Sequence, residues 1–500
     1  MSTLSIQDPA AGPAHPTHAQ PTIGLIGMGA MGRMYARVLS SAGWKKIYVC
    51  DIPSKYDGLK REYADSPGIK VFQDGHAVSR ASDFIVYSVE AEHIDDVVKQ
   101  FGPCASLSLI SHPSPTNYSS ATKLHAVVAG QTSVKAPERD AFEKHLPQDV
   151  HIVSCHSLHG PNVSPVGQPL VIIKHRGPTE ALTLVENILR CFRSRYVYLS
   201  YEDHDRVTAN TQAVTHAAFL SMGTAWAASQ SYPWEQGLYV GGLETAKVNL
   251  TLRIYSNQWH VYAGLAILNP SARVQIDQYA KSATELFKLM LAGGNGTEED
   301  KKAFGARVEW GGKVIFGSGG EKKKRRPILL SEDVLDRFSL GKFNHLGSNN
   351  NDTQGGTIPP TRYRPNSHLS LLAMVDSWAH LIINPYIHLS LAATPLFRLF
   401  LGVAEHLFLS PELLSTSIHS ALHDTWHRAD DLEFVIAARG WSEAVSLGNF
   451  EGYKWRFERT KRFLDSRFEE GVRVGTEMIK ALMETEVERE KEEEGEGAQE

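Results

Sequence analysis

Cysteine is scarce in this chain, which has only Cys50, Cys104, Cys155 and Cys191 among its 500 residues. None has the close paired spacing of a zinc cluster or a disulfide framework, so no metal site is expected, a hydrophobic core must hold the fold, and a reducing compartment fits. A surplus of charge of one sign is also missing. A formal net charge of −5 over this length exerts no general pull on nucleic acid or anionic membrane, so any anion site must be assembled locally. The opening residues are rich in Ser, Pro and His and lack the basic stretch and apolar run of a secretion signal. One long uncharged run, residues 377–397, contains Pro385, Pro395 and two histidines, which suits a buried helical region rather than a membrane span. These absences leave a cytoplasmic protein, with no nucleic-acid or membrane partner, acting on a small molecule.

What is present is ordinary globular material, 42% hydrophobic and 21% charged, in a chain too long for one core, so two or three domains are expected. Residues 1–20 read as a disordered tail. Short β-rich runs at 23–26, 47–51, 70–72, 84–88, 126–129, 151–154 and 170–173 alternate with helical patterns. The fold class is therefore α/β plus all-α: a Rossmann-type doubly wound sheet over 21–200, then a helical domain over 201–484. Polar loops are expected near 293–326 and 341–366, and an acidic disordered tail over 485–500. The basic run 322–326 reads as a solvated loop more readily than as a nuclear-targeting or nucleic-acid patch.

Gly27-Met28-Gly29-Ala30-Met31-Gly32 follows the first apolar strand directly and opens a helix. In that context the first glycine permits a tight turn, the second lets backbone approach a pyrophosphate, and the third allows close helix-to-strand packing. Asp51 ends the second strand, where an acidic side chain usually accepts hydrogen bonds from the adenosine ribose of NAD. Lys55, Lys60 and Arg61 follow closely, either to neutralise a 2′-phosphate or simply as surface lysines and arginine on a helix. With Ser88 at the end of the fourth strand, Gly27, Met28, Gly29, Ala30, Met31, Gly32, Asp51 and Ser88 are the candidate cofactor-binding residues.

Two polar loops follow strands at the same expected sheet edge, Gly130-Gln131-Thr132-Ser133-Val134-Lys135 and Ser154-Cys155-His156-Ser157-Leu158-His159-Gly160-Pro161. Taken with the glycine motif, Thr211-Gln212-Ala213-Val214-Thr215-His216-Ala217-Ala218 and Leu252-Arg253-Ile254-Tyr255-Ser256-Asn257, they resemble the prephenate dehydrogenase family in its long fungal form, over about residues 22–483. That resemblance implies oxidative decarboxylation of prephenate to 4-hydroxyphenylpyruvate in tyrosine synthesis. The C4 hydride passes to a nicotinamide, the ring carboxylate leaves as carbon dioxide, and aromatisation drives the reaction. It implies catalytic roles for His156, which takes the 4-hydroxyl proton, and for Ser133, which orients that hydroxyl. It implies substrate binding by Arg253, on the ring carboxylate, and by His216, Gln131 and Lys135. It also implies NADP over NAD, against the reading of Asp51 alone, and a homodimer.

One departure is a Ser/Pro/Thr-rich stretch over 107–121, a surface loop or a translated intron. Two other functions remain in view. A β-hydroxyacid-type dehydrogenase would use a helical lysine such as Lys247, but it gives His156 and the Gln-Thr-Ser-Val-Lys loop no place. A non-catalytic NADP-binding sensor would keep the glycines without needing His156, Ser133 or Arg253.

Overall fold

The computed structural model describes residues 4–102, 122–236, 241–317, 328–329, 331–340, 365–392 and 395–497. The stretch 107–121, the basic run 322–326 and nearly all of the loop 341–366 lie outside the described residues. Two compact units divide between Val207 and Thr208.

The first unit carries one eight-stranded sheet, formed by β1 (Ile23–Ile26), β2 (Ile47–Cys50), β3 (Ile69–Val71), β4 (Phe84–Tyr87), β5 (Val127–Gly130), β6 (His151–Ser157), β7 (Pro169–Arg176) and β8 (Arg195–Tyr198). Its order is β3-β2-β1-β4-β5-β6-β7-β8. All neighbours run parallel except β6 and β7. Strands β1, β4 and β5 are buried at every residue, as expected of parallel strands covered on both faces. The connecting helices are α1 (Ala30–Ser41), α2 (Tyr56–Glu62), α3 (Gly75–Ala81), α4 (Ile94–Phe101), α5 (Ala136–His145) and α6 (Thr179–Leu189). The short strand β8 buries only Val197, which is why so weak an apolar signal does not read as a strand.

The order in which strands are added reverses between β1 and β4, and ligands bind in the crevice outside the carboxyl ends at such a point. The register pairs Ile26 with Cys50 and Tyr87, and Tyr87 with Gly130. The next residue on each strand is Gly27, Asp51, Ser88 and Gln131, so these four share one edge.

The helix α7 (Tyr201–Ala228) starts in the first unit and continues in the second. The second unit is helical: α8 (Gly242–Ser256), α9 (His260–Leu268), α10 (Pro270–Asn295), α11 (Glu298–Phe316), α12 (Glu332–Leu335), α13 (Leu369–Leu381) and α14 (Leu389–Ala392) are followed by α15 (Pro395–Leu409), α16 (Pro411–His423), α17 (Arg428–Ser446), α18 (Phe450–Leu464) and α19 (Phe468–Gly497). Helix α10 is the hub, packing on α11, α13, α16 and α17 around buried Tyr279, Trp378 and Phe434. Among the described residues no helix is long and apolar enough to cross a membrane.

Three boundaries differ from expectation. Residues 4–20 are ordered rather than a disordered tail: Leu4 and Ala11 are buried, Ser5 Oγ donates to Asp83 Oδ1 at 2.9 Å and Asn187 Nδ2 to the Ala11 carbonyl at 2.8 Å. Composition cannot register so few anchoring contacts. The expected loop over 293–326 contains α11, whose start is a capping box in which the Thr297 N–H donates to Asp300 Oδ2 at 2.8 Å and the Asp300 N–H to Thr297 Oγ1 at 3.3 Å. Its run of acids is a favourable first helical turn, not a loop signature. The acidic stretch from 485 continues α19 as helix as far as Gly497.

Removing residues 1–19 should therefore destabilise the first unit. Losing the burial of Leu4 alone costs about 2 kcal/mol, which for a unit of this size lowers the melting temperature by roughly 4–8 °C. Calorimetry on the truncated chain checks this, and an unchanged melting temperature would show the segment to be a passive tail.

Candidate active site

The turn after β1 is shaped by its own backbone. Gly27 has φ of +100°, and a Cβ there would run into the Ser88 carbonyl oxygen; a Cβ on Gly32 would run into the Gly27 carbonyl oxygen. At Gly29, by contrast, a Cβ would meet nothing within 4 Å. The space the chain leaves open lies at the glycine over which a pyrophosphate must pass, beside exposed Ala30 and partly exposed Met31 at the start of α1, where free N–H groups favour an anion. A second feature fits a dinucleotide. Ser88 Oγ donates to Gln131 Oε1 at 3.1 Å, while the buried Gln131 Nε2 has no hydrogen-bond partner among the described residues, a donor that a ligand on this edge would satisfy.

Asp51 is placed beside that turn but is fully occupied. Its Oδ2 accepts the Met28 N–H at 2.9 Å, its Oδ1 the Ile52 N–H at 2.7 Å, and Lys55 Nζ lies 3.1 and 3.3 Å from the two oxygens.

The carboxyl end of β6 presents His156. Its Nδ1 lies 2.7 Å from His204 Nε2, and His204 Nδ1 lies 2.9 Å from Asp205 Oδ1. Asp205 accepts the Lys135 N–H and the Ala136 N–H, both at 2.7 Å, so it caps α5 and is held as a carboxylate acceptor. With Asp205 accepting from His204 Nδ1–H, His204 Nε2 is left to accept from His156 Nδ1–H. The network thereby assigns the free lone pair of His156 to Nε2. Burial, with the neighbouring His204, Lys135 and His159, pushes the His156 imidazole well below its usual range, so the ring is neutral and able to take a proton. His159 Nδ1 contacts the Gly160 carbonyl at 3.0 Å and its buried Nε2 has no partner among the described residues. Ser133 is exposed on its loop and makes no hydrogen bond among the described residues.

Lys135 is positioned otherwise. It is fully buried, with Nζ 2.7 Å from Glu138 Oε2, 3.0 Å from the Gly130 carbonyl, 2.9 Å from the Cys155 carbonyl and 3.2 Å from Ser154 Oγ. Glu138 also accepts from Thr132 Oγ1 at 2.5 Å and from Ser154 Oγ. With no ammonium proton left over, Lys135 ties β5 to β6 instead of offering a charge to the crevice.

In the second unit Arg253, in the last turn of α8, has no carboxylate partner among the described residues; its Nη1 reaches Thr476 Oγ1 at 3.4 Å. Burial lowers its pKa, with Tyr262 acting the other way. His216, on α7, meets the same Tyr262 edge-on with ring centroids 4.9 Å apart. Its buried Nδ1 has no partner among the described residues, and burial pushes its pKa down to about 3. These two therefore cluster around one tyrosine. Lys247 is buried 2.8 Å from Glu244 Oε2 and 3.2 Å from His368 Nδ1.

Sequence reasoning missed His204, Asp205 and Glu138. Acids in a first helical turn are so common that Tyr201-Glu202-Asp203-His204-Asp205 reads as a helix start; only the sheet shows that this turn closes over the end of β6.

Comparison with known proteins follows the same division. Residues 213–484 match the family model described as a 6-phosphogluconate dehydrogenase C-terminal domain, and residues 22–112 match the NADP oxidoreductase, coenzyme F420-dependent, model. A probable NADP(+) prephenate dehydrogenase of Schizosaccharomyces pombe is 49% identical over 462 residues, 92% of this chain and 97% of that protein. The NADP(+) prephenate dehydrogenase of Saccharomyces cerevisiae is 47% identical over 468 residues, 93% and 94%. A crystal structure of prephenate dehydrogenase from Aquifex aeolicus with hydroxyphenyl propionate and NAD+ matches at 19% identity, covering 58% of this chain and 98% of that one, with a TM-score of 0.41.

The buried Lys135 and Glu138 pair generates a stability prediction. Lys135→Met strands Glu138 and should cost about 3–5 kcal/mol, whereas pairing it with Glu138→Leu should recover much of that loss. Urea titration of the three variants decides it, and equal stability of the single and double variants would show that the pair is not coupled.

Proposed function

Since the chain belongs to the NADP-dependent prephenate dehydrogenase family, we propose that it converts prephenate to 4-hydroxyphenylpyruvate, on the way to tyrosine, with His156 as the base. The observation that carries this is the chain from Asp205 through His204 to His156, which leaves His156 Nε2 as an acceptor on the ligand-binding edge. The nicotinamide of NADP, when bound, supplies the hydride acceptor. Gly27, Met28, Gly29, Ala30, Met31 and Gly32 form the turn that holds the pyrophosphate, and the Ser88 and Gln131 pair adds a buried amide donor beside it.

His156 Nε2 takes the proton of the 4-hydroxyl as the C4 hydride departs, so the alcohol carbon becomes a carbonyl. The bond from the ring to its carboxylate then breaks, carbon dioxide leaves, and the electron pair enters the ring as it aromatises to a phenolate, whose oxygen takes back the proton held by His156 to give the phenol. His204 and Asp205 act as positioning residues. They fix the ring plane and tautomer of His156, and the Asp205 carboxylate offsets the charge that His156 acquires. Ser133, exposed and uncommitted, orients the hydroxyl. Arg253 supplies a guanidinium with no carboxylate partner among the described residues, which suits bidentate binding of the ring carboxylate, and His216 lines the pocket with it. Lys135 contributes as the brace beneath Gln131 and His156, not as a substrate ligand.

We also propose a cytoplasmic homodimer, which rests on the family resemblance. Light scattering that returns the mass of one chain would remove the dimer.

The catalytic assignments separate kinetically when NADPH formation from prephenate is followed. His156→Asn should lower kcat about 10²- to 10⁴-fold with little change in KM. Arg253→Gln should chiefly raise KM, by roughly 10- to 150-fold for one lost charge-assisted interaction. A normal kcat in His156→Asn would pass the role of base to His159.

His204 generates a separate pH test. Because the His156 pKa is lowered, the acid limb of kcat/KM should lie below the ordinary imidazole value of about 6.5, with activity lost only as the pH falls through the depressed pKa. His204 Nε2 is the acceptor that fixes the His156 Nδ1 proton, so His204→Gln should move the limb as well as reduce kcat. A fall in kcat with an unmoved limb would leave His204 a merely structural residue.

A further inference from the structure

Asp51 occupies the position from which an acidic side chain selects NAD, because it accepts the ribose diol and repels a 2′-phosphate. This protein nevertheless belongs to an NADP-dependent family. The geometry around Asp51 resolves the conflict. A carboxylate has about four acceptor sites, and here two face the Met28 and Ile52 N–H groups while Lys55 Nζ spans both oxygens. The Asp51 side chain retains only 8% of its exposure. It is thus a clamp between the glycine turn and the end of β2, with little acceptor capacity left for a ribose.

The cation that neutralises it is placed by local structure. Pro53–Lys55 form a single 3₁₀ turn, closed by the Lys55 N–H donating to the Ile52 carbonyl at 2.9 Å. That turn folds the Lys55 side chain back over Asp51, four residues earlier, while 47% of the side chain remains exposed. Other cations nearby are differently engaged. Arg33 places Nε 2.9 Å and Nη2 3.0 Å from the Glu62 carboxylate, and its Nη1 donates to the Met28 carbonyl. Lys60 lies over the Tyr56 ring, 5.9 Å from its centroid. Neither Lys60 nor Arg61 contacts Asp51 among the described residues.

We infer that Lys55 sets the preference for NADP, by cancelling the charge of Asp51 and presenting its exposed ammonium to the 2′-phosphate. A phosphate dianion beside an unpaired carboxylate would be repelled, and a single lysine answers both charges at once. Asp51 then serves NADP binding through the backbone it clamps rather than as a reader of the ribose. The inference rests on the NADP reading above, and binding of cofactor fragments tests it apart from turnover.

The test is calorimetric titration of the full chain with 2′,5′-ADP, which carries the 2′-phosphate, and with ADP, which lacks it. The unaltered protein should prefer 2′,5′-ADP. Lys55→Met should weaken 2′,5′-ADP by about 10- to 100-fold, the scale of a charge-assisted contact, and leave ADP unchanged or tighter. Lys55→Arg should keep most of the preference, as should Lys60→Met. Adding Asp51→Asn to Lys55→Met should restore part of the affinity for 2′,5′-ADP, since the repelling charge is gone. Melting curves without ligand verify that each variant folds. An unchanged ratio of the two affinities in Lys55→Met overturns the assignment. Equal binding of both fragments by the unaltered protein would instead count against the NADP reading itself.

Discussion

The site depends on one buried charge pair. Neither Lys135 nor Glu138 is solvent-accessible, and an ion pair out of water persists only when its remaining protons and lone pairs are also met. That demand fixes geometry. The Lys135 ammonium must reach the carbonyls of Gly130 and Cys155, and Glu138 must reach Thr132 and Ser154. The end of β5, the loop that carries Gln131 and Ser133, and the residue before His156 are therefore held by one set of contacts. The Lys135 backbone N–H, given to Asp205, extends the same constraint to the partner of His204.

Much of this architecture was legible in the sequence because it rests on local rules. Continuous apolar runs announce buried parallel strands, and a glycine turn between a strand and a helix announces an anion cradle. Seven of the eight strands follow from such signals. What was not legible depends on chain segments distant in sequence. Asp205 caps a helix that begins at Ala136, and His204 meets a histidine 48 positions earlier; no periodicity encodes either pairing. The N-terminal segment escaped notice because its order comes from a few contacts with Asp83, His125 and Asn187. The helix α11 escaped notice because charged residues suit a solvated helix as well as a loop.

The cations show why residue type alone is a poor guide to role. Lys135 and Lys247 are both buried and both paired with a glutamate one helical turn away, so their charges are spent on the fold. Lys55 is paired yet exposed on one side, which lets it meet a second anion at little desolvation cost without leaving Asp51. Arg253 is partly buried with no acid to answer it among the described residues, an arrangement that is costly unless a ligand completes it. Of these four side chains, the fold commits two entirely and leaves two with unspent capacity. The two with capacity are those assigned here to anionic ligand groups.

The three glycines of the turn are constrained from different sources. Gly27 and Gly32 are required by the chain itself, since a side chain at either would strike backbone carbonyls of the turn and of Ser88. Gly29 borders empty space, so only a bound dinucleotide forbids a methyl group there. Purifying selection on Gly27 and Gly32 would therefore act in any descendant that still folds, whereas selection on Gly29 would act only while the reaction is needed. A lineage that came to obtain its tyrosine from a host, yet kept this protein for some other purpose, would be expected to lose Gly29 first, so that a single position could record the retirement of the enzyme while the scaffold endured.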